Sequence, residues 1–242
     1  NWLEFFRDYR SNWDIRVPQR LTPAPLLATV TDSDLLPLQQ LADEKRFLSL
    51  LESGMALQGL TDEGRLQRDL MMGDAYLRTG SYDAGLARLG ALRDLSADQQ
   101  IRVDYLTAWG EAARENAIGA LLHLQIHLSD LPAEHPLAMP IRLLNAEAAL
   151  AASQPQLALD LLSEDGLSWP DYLETVRRIR LADALAGLGE RDRALSAYRE
   201  LADEPLLCEF YYGSCQRAAH AAFQTRDFEL SRHLYQPLAL AF

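Results

Sequence analysis

The chain has 242 residues, with 35 acids against 23 bases and a formal net charge of −12. That balance excludes a general nucleic-acid binder, which needs clustered positive charge to neutralise phosphates. Leu (47) and Ala (34) fill 81 positions while Val and Ile together supply 10, so a sheet of any size is excluded and an all-α fold is expected.

In chain order, residues 1–36 differ in kind from the rest. Trp2, Phe5, Phe6, Tyr9 and Trp13 fall at helical spacing, and Pro18, Pro23 and Pro25 then break the chain. The first expectation is a helix that caps or packs on the first repeat. The second is a juxtamembrane segment, with interfacial aromatics and Arg7, Arg10, Arg16 and Arg20 beside a removed span. The chain opens on Asn1 rather than Met, and the expectation is that it was cut from something longer, with a signal or anchor able to precede it. No apolar run in the sequence approaches the roughly 20 residues of a membrane span.

From residue 37 onward, helix–turn–helix units recur. The clearest runs from Gly73 to Leu86: a helix with an apolar stripe reaches Gly80, which suits a C′ position. Ser81 can cap a second helix carrying Leu86, Leu89 and Leu92. Similar units start at Ala182 and Ala219, with others at Leu38 to Gly54, Ala146 to Leu162 and a degenerate one near Thr107 to Ile126. Aligning the residue expected at each helix crossing gives Leu50, Gly85, Gly119, Ala158, Ala194 and Ser231, spaced 35, 34, 39, 36 and 37 residues. The longest interval is assigned to a surface-loop insert, residues 131–136, bearing Pro132 and Pro136, with Pro140 just beyond.

Gly73, Tyr76, Gly80, Tyr82 and Gly85, then Ala182, Gly189, Ala194 and Tyr198, and less closely Ala219, Phe228 and Tyr235, carry a resemblance to tetratricopeptide (TPR) repeats. The family's early Trp is missing, and its closing Pro is absent or displaced to Pro205. The resemblance implies an antiparallel helical-hairpin solenoid of five to six hairpins over residues 37–242, wound as a right-handed superhelix, with residues 1–36 as a separate lead-in. It also implies that the first helix of each hairpin lines a concave groove. Carried over residue by residue, the groove positions are Asp74, Ala108, Glu147, Asp183 and His220, with Leu77, Glu111, Leu150, Ala186 and Phe223 three further on. Asp74, Glu111, Glu147 and Asp183, with Asp104 nearby, are then expected to form an acidic line suited to a partner with a basic segment. The alternative is that these are solvated helix positions of an acidic protein. Carboxylate-clamp members of the family hold acidic tails with Lys, Asn and Arg, and the lone Lys45 lies far from any such pattern.

Other candidates are weaker. Cys208 and Cys215 are seven apart; on one helix they would stand about 10 Å apart, too far for a bridge. They are expected to be reduced core residues, which favours a reducing compartment. His123 and His127 have the spacing of two metal ligands, but the third could only be guessed, from Asp130 or His135, so no metal is expected. No phosphate loop or nucleophile elbow is present, and neither a catalytic residue nor a cofactor is expected. Phe210, Tyr211 and Tyr212 could anchor a partner, and the apolar end with Leu238, Leu240 and Phe242 is expected to be an interface.

The functional expectation is a non-catalytic protein–protein interaction scaffold inside a larger bacterial assembly. Twenty-two Arg against one Lys points to a GC-rich bacterial genome. The layout resembles TPR-bearing scaffold subunits of bacterial exopolysaccharide synthesis and export machines, including that of the Pel complex. That places it on the cytoplasmic face of the inner membrane, with the periplasm as alternative. Two other readings are a peptide-binding regulatory receptor and an α-superhelical accessory domain of an enzyme.

Overall fold

A computed structural model describes residues 33–128, 131–132, 134–164, 167–204, 207–208 and 211–240. Among them there is no strand. The helices with described bounds are α1 (Leu36–Asp43), α2 (Phe47–Ala56), α3 (Asp62–Arg78), α4 (Tyr82–Gly90), α5 (Ala97–Ala113), α6 (Ala117–Leu128), α7 (Ala138–Ala151), α8 (Pro155–Ser163), α9 (Asp171–Gly187), α10 (Arg191–Glu200), α11 (Tyr212–Gln224) and α12 (Phe228–Leu240). No helix among the described residues is long and apolar enough to cross a membrane. The chain divides into two compact units, Asn1–His127 and Leu128–Phe242. The aromatic residues of the lead-in lie outside the described residues, whereas Leu35 is fully buried and belongs to the core of the first hairpin.

Among the described residues, six helical hairpins arise from one turn used six times. Each odd-numbered helix is joined to the next by three residues, and the middle one has positive φ: Lys45, Gly80, Glu115, Ser153, Gly189 and Arg226. The backbone bonding is that of a Schellman motif. At the second turn Ser81 N–H donates to the Tyr76 carbonyl and Gly80 N–H to that of Leu77; the equivalent pair closes each of the other five. Only two of the six positions are glycine. Left-handed backbone costs other residues about 1–2 kcal/mol, which here is offset by two satisfied helix-end carbonyls per turn. Ser81 differs from its expected part: its side chain makes no cap bond to α4. Its backbone N–H and C=O already serve the turn and the first bond of α4. Side-chain capping occurs elsewhere, at Thr61 before α3 and in the Ser96–Gln99 capping box of α5.

These turns fix the helix crossing. Seven residues before each left-handed residue stand Leu38, Gly73, Ala108, Ala146, Ala182 and Ala219; five after it stand Leu50, Gly85, Ala120, Ala158, Ala194 and Ser231. All twelve are buried. Helices α3 and α4 approach closely. A Cβ on Gly73 would come within 2.7 Å of Leu89, and one on Gly85 within 2.7 Å of Leu77 and 3.0 Å of the Gly73 carbonyl. The third unit corrects the sequence alignment by one residue. Its crossing residue is the fully buried Ala120, not Gly119, which stands against Asn116 of its own helix end.

In the first unit α2 packs on α1 and α3, and α4 on α3 and α5. A core of Leu35, Leu38, Leu50, Met71, Met72 and Ala75 joins the first two hairpins. In the second unit α7, α9 and α11 touch in succession; α8 packs against α7 and α9, and α10 against α9 and α11. Its principal core gathers Ile179, Ala182, Tyr198, Leu201, Leu207, Tyr211, Ala218 and Leu234. The two cysteines correct a second expectation. Cys208 and Cys215 form a disulfide, with Cα atoms 5.2 Å apart. They do not share a helix: Cys215 lies on α11, which begins only at Tyr212, and Cys208 precedes that helix.

Candidate functional site

The side chains expected on the first-helix face sort differently in the two units. In the first unit Asp74 is 3% exposed. It accepts from Arg78 Nε at 3.1 and 3.2 Å, through neighbouring turns of α3. Burial pushes the Asp74 carboxyl above its ordinary value, and Arg78 only partly offsets this. The Arg78 guanidinium also stands 5.8 Å from the Phe47 ring centroid and 5.7 Å from that of Trp109, placing aromatic faces from two other hairpins against one cation. Trp109 is the residue in register with Asp74, again one beyond the position read from the sequence. Asp104 and Glu111 are half-buried, accepting from Gln100 at 2.8 Å and Asn116 at 2.7 Å. Asp74 is thus matched by a cation and does not add a free charge to an acidic line.

In the second unit Glu147 of α7, Arg180 and Asp183 of α9, and Ser214 and Arg217 of α11 converge. Asp183, 5% exposed, is the hub. Its Oδ1 accepts from the Tyr198 hydroxyl at 2.7 Å and from Arg217 Nε at 3.2 Å, and Arg217 Nη2 stands 2.8 Å away. Its Oδ2 accepts from Ser214 Oγ at 2.7 Å and from Arg180 Nη1 at 3.1 Å. Burial raises the Asp183 carboxyl, but Arg180 and Arg217, with the hydroxyls of Tyr198 and Ser214, outweigh it and hold the group below its usual value. Arg180 also donates from Nε to Glu147 Oε1 at 2.8 Å, and its guanidinium lies 4.4 Å from the Tyr211 ring centroid. Glu147 Oε2 is buried without a hydrogen-bond partner among the described residues. Burial, reinforced by nearby Asp183, carries this carboxyl upward despite Arg180. Tyr198 ionises less readily than a free tyrosine, through burial and then the Asp183 charge.

This network borders a cavity of about 590 Å³ between α7, α9 and α11, floored by Leu150, Ala151 and Ala186. A second cavity of about 380 Å³ adjoins it, sharing Ala186 and Arg217. The expected acidic line is corrected here: Glu147 and Asp183 are both engaged by arginines. Arg180 and Asp183 are an i, i+3 pair that the sequence offers, but nothing around the two acids indicates that Arg180 reaches Glu147 or that Arg217 reaches Asp183. The one available signal is spacing, since Arg180 and Arg217 are 37 residues apart, matching the interval between the last two hairpin turns.

His220 is exposed, its Nε2 2.7 Å from the Gln224 amide. Phe223 is 57% exposed and stacks edge-on with Phe228 at 5.8 Å. Tyr211 and Leu238 are core residues of this unit, at 5% and 8% exposure, and therefore not exposed anchors. Tyr212 is half-buried against the same core. Phe210, Phe242 and the Leu240 side chain lie outside the described residues, as do Asp130 and the His127 side chain. Among the described residues no group of three His, Cys, Asp or Glu side chains is placed to hold a metal. In comparison with protein-family models, curated proteins and solved structures, the chain matches none.

Proposed function

We propose that this protein is a non-catalytic interaction scaffold whose second unit docks a partner segment along α7, α9 and α11. The carrying observation is the pair of adjoining cavities on that face, which share Ala186 and Arg217. Their walls are held by a cross-hairpin network in which Asp183 alone accepts from four side chains. A pre-arranged polar wall over an alanine floor lowers the ordering cost of binding.

The wider setting we propose is a bacterial, membrane-associated assembly, for example one that makes or exports an exopolysaccharide. The Arg-rich, Lys-poor composition and the aromatic lead-in support it. The Cys208–Cys215 bridge favours an oxidising compartment, hence the periplasmic side. The test is Ala186→Trp, which sets a bulky side chain at the half-buried residue that lines both cavities. Copurification of the assembly from host membranes should be lost while the far-UV circular dichroism and melting temperature stay near wild type. Unchanged copurification by a folded Ala186→Trp variant refutes the reading.

A further inference from the structure

The two adjoining cavities differ in charge. The larger has a closed account: Glu147 and Asp183 against Arg180 and Arg217, each acid bonded to at least one arginine. Across Arg217, the smaller cavity is lined by Arg191, Gln216, Arg217, His220, Gln224 and Tyr235. Among the described residues no carboxylate lines it, in a chain where acids outnumber bases 35 to 23. Its remaining walls are the small side chains Ala186, Ala194 and Ala221.

Two of the arginine donors there remain available. Arg191 is exposed and makes no side-chain hydrogen bond or ion pair with the described residues. Arg217 uses Nε and Nη2 on Asp183 and Ser214, which leaves Nη1. With Arg217 already paired to Asp183, the unmatched positive charge on this cavity is that of Arg191, and Arg217 adds its Nη1 donor. Arg217 is itself oriented by that hub, so one wall of the cavity is fixed before any ligand arrives.

We propose that this cavity is a carboxylate-binding site, in which Arg191 and Arg217 pair one carboxylate from two sides. Guanidinium groups match carboxylates in planar, paired hydrogen bonds, and the Gln216 amide and Tyr235 hydroxyl supply further donors at the rim. A cavity of about 380 Å³ suits a small acid or a single acidic side chain of a bound segment. The second source rests on the proposed docking function, while the chemistry of the cavity does not.

The experiment is a two-dimensional NMR titration of the whole chain, observing the arginine Nε–H and glutamine amide signals. The probes are succinate, acetylated and amidated triglutamate, the corresponding triglutamine, and sodium chloride at matched ionic strength. Succinate and triglutamate should shift the Arg191, Arg217 and Gln216 signals with saturation, triglutamine and chloride should not, and Arg191→Gln should weaken binding about tenfold. Arg191 has no structural partner among the described residues, so that variant keeps the fold. Tighter binding of triglutamate than of succinate assigns the carboxylate to a peptide; the reverse assigns it to a free small acid. Equal responses to carboxylates and chloride, or an Arg191→Gln variant that binds as well as wild type, overturn the proposal. If that happens while Ala186→Trp still releases the assembly, the carboxylate site fails and the docking face stands.

Discussion

Asp183→Ala tests whether the second unit is organised around its buried hub. The substitution strands the Tyr198 hydroxyl, which is buried and donates to Asp183 at 2.7 Å, and the Ser214 hydroxyl, likewise buried. Each orphaned donor costs about 1–3 kcal/mol. Arg180 keeps Glu147 and the face of Tyr211, and Arg217, half-exposed, regains water and adds little. Removing one partner of a buried ion pair costs about 3–5 kcal/mol, and the pieces sum to the same range. Urea unfolding followed by circular dichroism reads this as a fall in midpoint of about 2 M at an m-value of about 2 kcal/mol/M. Tyr198→Phe alone should cost about 1–2 kcal/mol. In the double variant the two losses should fall short of additive, because both remove the same bond. A loss below about 1 kcal/mol for Asp183→Ala, or strict additivity with Tyr198→Phe, refutes the hub.

Glu147 and Asp74 have carboxyls raised in the folded state, so the folded chain holds their protons longer than the unfolded one. Their contribution therefore declines as pH rises from the ordinary carboxylate range through the raised folded values. Glu147→Gln should flatten that decline in urea midpoints as pH rises above the ordinary carboxylate range, and an unaltered slope counts against the assignment. Asp183, lowered in the fold, acts oppositely: its contribution is present above the unfolded value and is lost as pH falls through the folded one. Glycine at Glu115, Ser153 or Arg226, each with positive φ, should raise stability by about 0.5–1 kcal/mol per site; a lower midpoint would contradict the left-handed turns. Asn145 is fully buried with neither amide atom partnered among the described residues, so Asn145→Leu should stabilise by about 1–3 kcal/mol, and destabilisation in thermal melts would reveal a partner. Reducing the Cys208–Cys215 bridge, or Cys208→Ser with Cys215→Ser, should cost about 2–3 kcal/mol, from the small loop it closes; an equal melting temperature with and without reductant would count against it.

The all-helical fold and the hairpins with glycine turns are legible because glycine announces positive φ at Gly80 and Gly189. At Lys45, Glu115, Ser153 and Arg226 the same turn is made by residues that do not advertise it, so the sequence alignment of the third unit falls one residue out. The small crossing positions are readable where they alternate with large neighbours, as around Gly73 and Gly85. They blur at Ala108 and Ala120, where Gly110 and Gly119 offer rival small residues close by. Charge at Asp74, Glu147 and Asp183 can be placed on one helix face. Asp74 meets Arg78 of its own helix, but the arginines at Glu147 and Asp183 include partners 33 to 34 residues away in sequence, Glu147–Arg180 and Asp183–Arg217. The disulfide escapes a sequence reading because a helical distance does not apply across the start of α11.

The six identical turns also govern where this chain can change length. The left-handed residues are 35, 35, 38, 36 and 37 apart, yet the turn itself is always three residues. All of that variation is absorbed outside the turns. One residue added inside a turn would rotate the following helix by about 100° and swing its buried stripe toward water, whereas residues added between hairpins leave every stripe in place. Insertions, tags and cross-linkable labels therefore belong at the junctions around Gly59, Asp94 and Asp171, and a gene encoding such a chain can lengthen by whole hairpins without rewriting any of them.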